Sequence, residues 1–321
     1  SKSVYIKKDY TKSVTKLSGY LNDFPNGMFL TDANYMLAES YYIQGDKEAS
    51  LPFFDKVIDA PYCEWTEEAL YKSSSIYMEN EEYQKAIGRF QLLVEKTEYD
   101  VYEKDALVGL MTAYNAIEDY ENTAKYAQIV EGNKLVDNSN KFQARLLLGN
   151  SLFKSHKYDS AYAAYERIAG KTQKVMAAEA IYQMAYIKYL KENYSTSQEL
   201  TIKLLQEFSN YSYWYSKGYI LLSDNLIKND ALVDAKYALK NVLEHDKDSG
   251  IITEVNRRLD EIDEIERVRQ QPKEQEEVII DIGNEKNVNE QLFEIEEEEE
   301  DEPLDSLEFN LEQPLDSLNK N

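Results

Sequence analysis

Cysteine is almost missing from this chain of 321 residues: Cys63 stands alone, so no intramolecular disulfide and no Cys-based zinc site can form. A single thiol of this kind reads as a small hydrophobe near a helix end. Glycine (11) and proline (6) are also few. Scarce punctuation disfavours many short strands joined by tight turns and favours long helices. No apolar run approaches the length that membrane insertion needs, and the opening "SKSVYIKKDY" has no charged-then-apolar signal layout. Basic charge is short as well. The net charge is −24, of which the stretch from Pro272 to Asn321, with 18 acidic and 3 basic residues, accounts for −15. No basic stripe suited to phosphates remains, so nucleic acid is not an expected partner.

Enzyme motifs are missing too. "AGKT" at Ala169 to Thr172 has Tyr165 where a phosphate loop needs glycine, and a helical pattern precedes it instead of a strand. His156 falls in a turn and His245 in "EHDKD", neither with a Cys or second His at metal-ligand spacing. No Ser-His-Asp arrangement can be argued. The expectation is a protein with no catalytic residues, metal or cofactor.

What is abundant is periodic. A small residue follows a polar turn at Ser13, Ala49, Ala86, Thr123, Ala161, Ser197 and Ala235, with gaps of 36, 37, 37, 38, 36 and 38 residues. Stretches such as "ANYMLAESYY", "ARLLLGNSLF" and "EAIYQMAYIKYL" precede the turns "QGDKE", "SHKYDS" and "ENYSTS", and their apolar residues recur at helical spacing. The unit is a pair of antiparallel helices. One pair cannot bury both faces, so the pattern requires neighbours to stack.

These residues resemble the tetratricopeptide repeat family, which has small residues at the eighth and twentieth positions, Tyr at the eleventh and Pro at the end. The fourth copy fits with Gly149, Tyr158, Ala161 and Tyr165. The first complete copy matches at Ala38, Tyr41, Ala49, Phe53 and Pro61 if its turn is one residue shorter. The third departs, with Met111 at a small-residue position, which predicts a wider helix crossing or a shifted register. The resemblance covers roughly residues 4 to 245. Within the family, "FPNGMFLTDANYMLAESYYIQGDKEA" is similar to the bacterial envelope branch, the repeats of the outer-membrane assembly lipoprotein BamD and the cell-division coordinator CpoB. Pro25, Asn26 and Gly27 read as the chain reversal between repeats.

The resemblance implies an all-α fold, a right-handed α-solenoid of about six helix pairs after an N-terminal half-repeat, over residues 1–248. It implies a concave groove formed by the first helix of each pair, which in this sequence selects Tyr35, Glu39 and Tyr42; Tyr71 and Ser75; Thr112 and Asn115; Leu146, Asn150 and Phe153; and Tyr182, Tyr186 and Tyr189. Such a groove is aromatic and nearly neutral, suited to a peptide or protein. A basic-asparagine clamp for a C-terminal carboxylate does not occur at those positions. Tyr182, Tyr186 and Tyr189 are the expected contact patch.

"IITEVNRRLDEIDEIERVRQQ" places Ile251, Val255, Leu259, Ile262 and Ile265 on one stripe, a capping helix over 249–271 that ends before Pro272. Residues 272–321 read as an acidic disordered tail, in which "PLDSL" occurs twice. Leu304, Leu307, Leu315 and Leu318 are the candidate docking residues there. At the other end a half-repeat makes a poor solenoid cap, so the chain is expected to be the C-terminal part of a longer repeat protein. If its helix starts near Asp46, Pro52 costs a backbone hydrogen bond and predicts a kink. The expected function is an adaptor within a larger complex, in the bacterial periplasm at the outer membrane. A periplasmic chaperone-like assembly factor and a cytoplasmic location are the alternatives.

Overall fold

Helix–turn–helix geometry recurs through a computed structural model that describes residues 2–97, 99–171 and 175–270. The tail leucines Leu304, Leu307, Leu315 and Leu318 lie outside the described residues. Among those residues every regular element is a helix: α1 (Lys2–Ile6), α2 (Tyr10–Asp23), α3 (Leu30–Gln44), α4 (Lys47–Ile58), α5 (Thr66–Glu79), α6 (Tyr83–Lys96), α7 (Asp100–Ala116), α8 (Tyr120–Gly132), α9 (Asn138–Lys154), α10 (Tyr158–Glu166), α11 (Val175–Leu190), α12 (Tyr194–Glu207), α13 (Ser212–Lys228), α14 (Leu232–His245) and α15 (Ser249–Gln270). Each helix packs on the next, and α3 to α14 form six pairs. This is an α-solenoid.

The turn inside each pair is built the same way. Lys8, Gly45, Glu81, Glu118, His156, Glu192 and Asp230 all have positive φ, and each is followed by a residue whose N–H reaches five residues back, as from Asp46 to Tyr41 O, Glu82 to Tyr77 O and Lys157 to Leu152 O. That bond satisfies a carbonyl the helix end would leave orphaned, and the left-handed residue makes it possible. Glycine fills this position only at Gly45.

Five residues after each left-handed residue lies a fully buried small side chain: Ser13, Ser50, Ala86, Thr123, Ala161, Ser197 and Ala235. Here the sequence register needs correcting. Ala49 is exposed and Ser50 is 0% exposed, so the first complete copy has no shortened turn, and Phe54, not Phe53, is its buried aromatic. With that change the small residue of the first helix, at Ala38, Ser74, Met111, Gly149, Ala185 or Ser223, always precedes its partner by 12 residues. All six are buried. Variation in repeat length therefore falls outside the close crossing.

Met111 shows how the exception is absorbed. At the position four residues past the small one, where three other pairs carry Phe54, Phe90 and Tyr165 and the last two carry Thr201 and Leu239, the third pair has Ala127, which shares one buried cluster with Met111. A large and a small residue have exchanged sides, which conserves volume. Gly149 is the opposite case, since a Cβ there would come within 2.5 Å of the Tyr165 ring. Pro52 lies inside α4, which starts after Asp46 and runs unbroken to Ile58. Cys63 is half-buried between α4 and α5, against the N-terminal core. α15 buries Ile251, Val255 and Ile262 against Ile220, Leu239 and Val242.

Candidate partner-binding groove

The first helices stack in series, with α5, α7, α9, α11, α13 and α15 each touching the next. Residues on their common face therefore form one continuous surface. The side chains selected from the sequence divide along it into two groups of different character.

In the N-terminal half the surface is closed by internal bonding. Tyr35 is 3% exposed, its ring stacked on Trp65 at 4.3 Å, so it is a core residue and offers no groove face. Leu146 is likewise core. Lys72 reaches from α5 to Glu39 on α3 and, at 2.8 Å, to Glu68, with its ammonium over the Tyr42 ring. Burial works to raise the Glu68 carboxyl, but hydrogen bonds from Lys72 and Tyr35 outweigh it and leave the group below the ordinary glutamate range. Tyr71 packs against Tyr102, and the Ser75 and Thr112 hydroxyls donate to carbonyls of their own helices.

The C-terminal half is open. A cavity of about 580 Å³ is lined from α7, α9, α11, α13 and α15, and it brings together Asn115, Asn150, Phe153, Tyr182 and Tyr186. The Tyr182 and Tyr186 rings lie 6.2 Å apart and 10° from parallel, and Tyr186 and Tyr189 repeat this at 6.3 Å and 10°. Phe153 flanks Tyr186 at 5.9 Å, and Trp214 extends the row beyond Tyr182 at 5.4 Å. Tyr189 continues the ring series without lining the cavity and contacts Tyr194. Spacing of four and three residues on α11 puts these rings in file, and the neighbouring helices supply the walls. Burial pushes the Tyr182 hydroxyl well above the usual tyrosine range, and the nearby carboxylate of Glu254 adds to it.

Four of the six charges on the cavity wall are paired with one another. Lys217 binds Glu254 at 2.9 Å; Arg258 holds Asp224 through two nitrogens at 2.6 and 2.9 Å and reaches Glu254 at 3.2 Å. Asn150 accepts from the Tyr165 hydroxyl at 2.6 Å and donates to Glu179 at 3.1 Å. Burial holds the Glu179 carboxyl above its ordinary range, with the Asn150 bond opposing. Trp214, Lys217, Asp224, Glu254 and Arg258 escaped the sequence reading. Lys217 and Asp224 occupy the second and ninth positions of the sixth copy, so extending the same rule one repeat further would have found them. Glu254 and Arg258 lie on α15, outside any repeat, and carried no such signal.

No protein-family model matches the chain, and no curated protein matches it. Solved structures do. The C-terminal part of a tetratricopeptide repeat protein from Cytophaga hutchinsonii superposes with a TM-score of 0.56 at 13% identity, over 79% of this chain and 97% of that one. The fold is that of tetratricopeptide repeat proteins. A signal transduction ATPase with a tetratricopeptide repeat sensor, from Pyrococcus horikoshii, is also similar, with a TM-score of 0.50 and 17% identity over 72% of this chain and 39% of that one. At such identities the likeness concerns the tetratricopeptide fold, and the groove must be argued from this chain's own residues.

Proposed function

We propose that this repeat protein is a non-enzymatic adaptor that holds a partner polypeptide in the aromatic cavity of its C-terminal repeats, as a subunit of a larger complex. The observation that carries the reading is the file of half-buried rings, Trp214, Tyr182, Tyr186 and Phe153, left facing an open cavity while the equivalent N-terminal surface is filled by ion pairs. Aromatic side chains kept at an open surface carry most of the energy of a typical protein interface, because they bury large area at small entropic cost. The six charges around them sum to zero and four are paired, which leaves little electrostatic attraction for a free ion or small charged substrate. The bacterial envelope, at the periplasmic side of the outer membrane, is the proposed setting, on the similarity of the turn between α2 and α3 to the envelope branch. There Gly27 N–H closes back on Phe24 O at 3.0 Å.

The test is photocrosslinking in cells from a benzoylphenylalanine at Gln183, on the cavity wall, followed by fractionation and mass spectrometry. One or two stoichiometric partners in the envelope fraction are the expected result. Many substoichiometric outer-membrane precursors would replace the adaptor by a chaperone-like factor, and the absence of any Gln183-dependent adduct would defeat the cavity reading.

A further inference from the structure

The hydrogen-bonding groups on the cavity wall are unevenly used. Several acceptors are taken: Asp224 and Glu254 receive Arg258 and Lys217, and Asn150 Oδ1 receives Tyr165. Donors are spare. Among the described residues Trp214 Nε1 and Lys154 Nζ have no hydrogen-bond partner, and neither do the Tyr182 and Tyr186 hydroxyls or the Asn115 and Gln183 amides, which can both donate and accept. An indole N–H and an ammonium can only donate. These two donor-only groups call for acceptors on the ligand.

Charge narrows the choice. The six charged residues of the lining, Glu118, Lys154, Lys217, Asp224, Glu254 and Arg258, balance, so the acceptor-rich ligand should be uncharged. A carboxylate-rich segment would enter a neutral cavity on a strongly acidic protein without compensation. Shape points the same way, for rings standing about 5 to 6 Å apart in file leave ridges and slots between aromatic faces.

From these features we infer that the cavity receives an uncharged, proline-rich segment of the partner polypeptide in the polyproline II conformation. This inference rests on the adaptor reading and names its ligand. A polyproline II chain has no internal hydrogen bonds, so its carbonyls stay exposed, while each proline removes an N–H. It brings acceptors without donors. Its rings pack flat on aromatic faces, and being already extended it loses little entropy on docking. Trp214 and the tyrosine hydroxyls donate to the carbonyls, and Phe153, Tyr182 and Tyr186 form the slots.

The test uses the full chain and three labelled ten-residue peptides followed by fluorescence anisotropy: one uncharged and proline-rich, one alternating Val and Thr, and one of glutamate. The proline-rich peptide should bind at least about tenfold more tightly than either of the others, and Tyr186→Ala should weaken it by about tenfold. Trp214→Phe keeps a ring and removes the N–H; it should weaken binding several-fold with an unchanged melting temperature, which separates ligand contact from folding should Tyr186→Ala unfold the protein. Equal or tighter binding of the Val-Thr or glutamate peptide overturns the inference, and if that binding is lost in Tyr186→Ala the cavity still serves as the partner site. If no peptide binds while crosslinks from Gln183 persist in cells, the polyproline inference fails alone. If both are absent, the adaptor reading falls with it.

Discussion

Six of the seven turns inside helix pairs place a residue with a Cβ at positive φ, which costs about 1 kcal/mol each relative to glycine. Those turns store strain that the interlocking helix ends over-determine. Replacing exposed His156 by glycine should therefore raise stability by up to about 1 kcal/mol, and Gly45→Ala should lower it by a similar amount, both measured by urea unfolding. Glu179 offers a second test at this scale. Its folded pKa lies above the ordinary 4.5, so its favourable contribution is complete below that value and is lost as pH rises through the higher folded pKa. Glu179→Gln keeps an acceptor for Asn150 and has no charge to bury. The variant should be more stable than the parent at pH 7, and the gap should close in unfolding curves taken at pH below about 4.

At the scale of the element, the third pair accommodates a large residue where its neighbours have small ones, because Ala127 yields the space that Met111 takes. Met111→Ala alone should cost about 2–5 kcal/mol, since it leaves a void between two small side chains. Adding Ala127→Leu should recover at least about 1 kcal/mol of that loss, a coupling that a double-mutant cycle measures directly. Gly149→Ala tests the converse packing. Its new methyl meets the Tyr165 ring, so overpacking of about 1–3 kcal/mol is expected, while α9 on its own would gain helix propensity.

Across the repeat array, stability is close to a sum of pair energies and nearest-neighbour interfaces. α15 covers α13 and α14 and also lends Glu254 and Arg258 to the cavity. Deleting Ser249–Gln270 should strip Ile220, Leu239 and Val242 of their cover and leave Asp224 without its guanidinium. In hydrogen exchange, α13 and α14 should then lose protection first, while α3 to α10 keep theirs.

Much of this was legible in the amino-acid order. Helix pairing, a period of 36 to 38 residues and the burial of six of the seven small residues follow from local periodicity, because a stacked repeat contacts mainly its neighbours in sequence. Ala49 against Ser50 was beyond that reading. Two adjacent small residues fit the same pattern, and only the left-handed turn at Gly45, with its hydrogen bond reaching five residues back, decides which faces inward. The groove shows the same division. Sequence alone determined which residues share the face of each first helix, through the 3.6-residue turn. Tertiary structure decided that Lys72 closes one half with ion pairs, that Tyr35 is core, and that Trp214 and Arg258 complete the other half. Those outcomes depend on which side chains from different repeats meet across a helix interface, a distance that no spacing within one helix encodes.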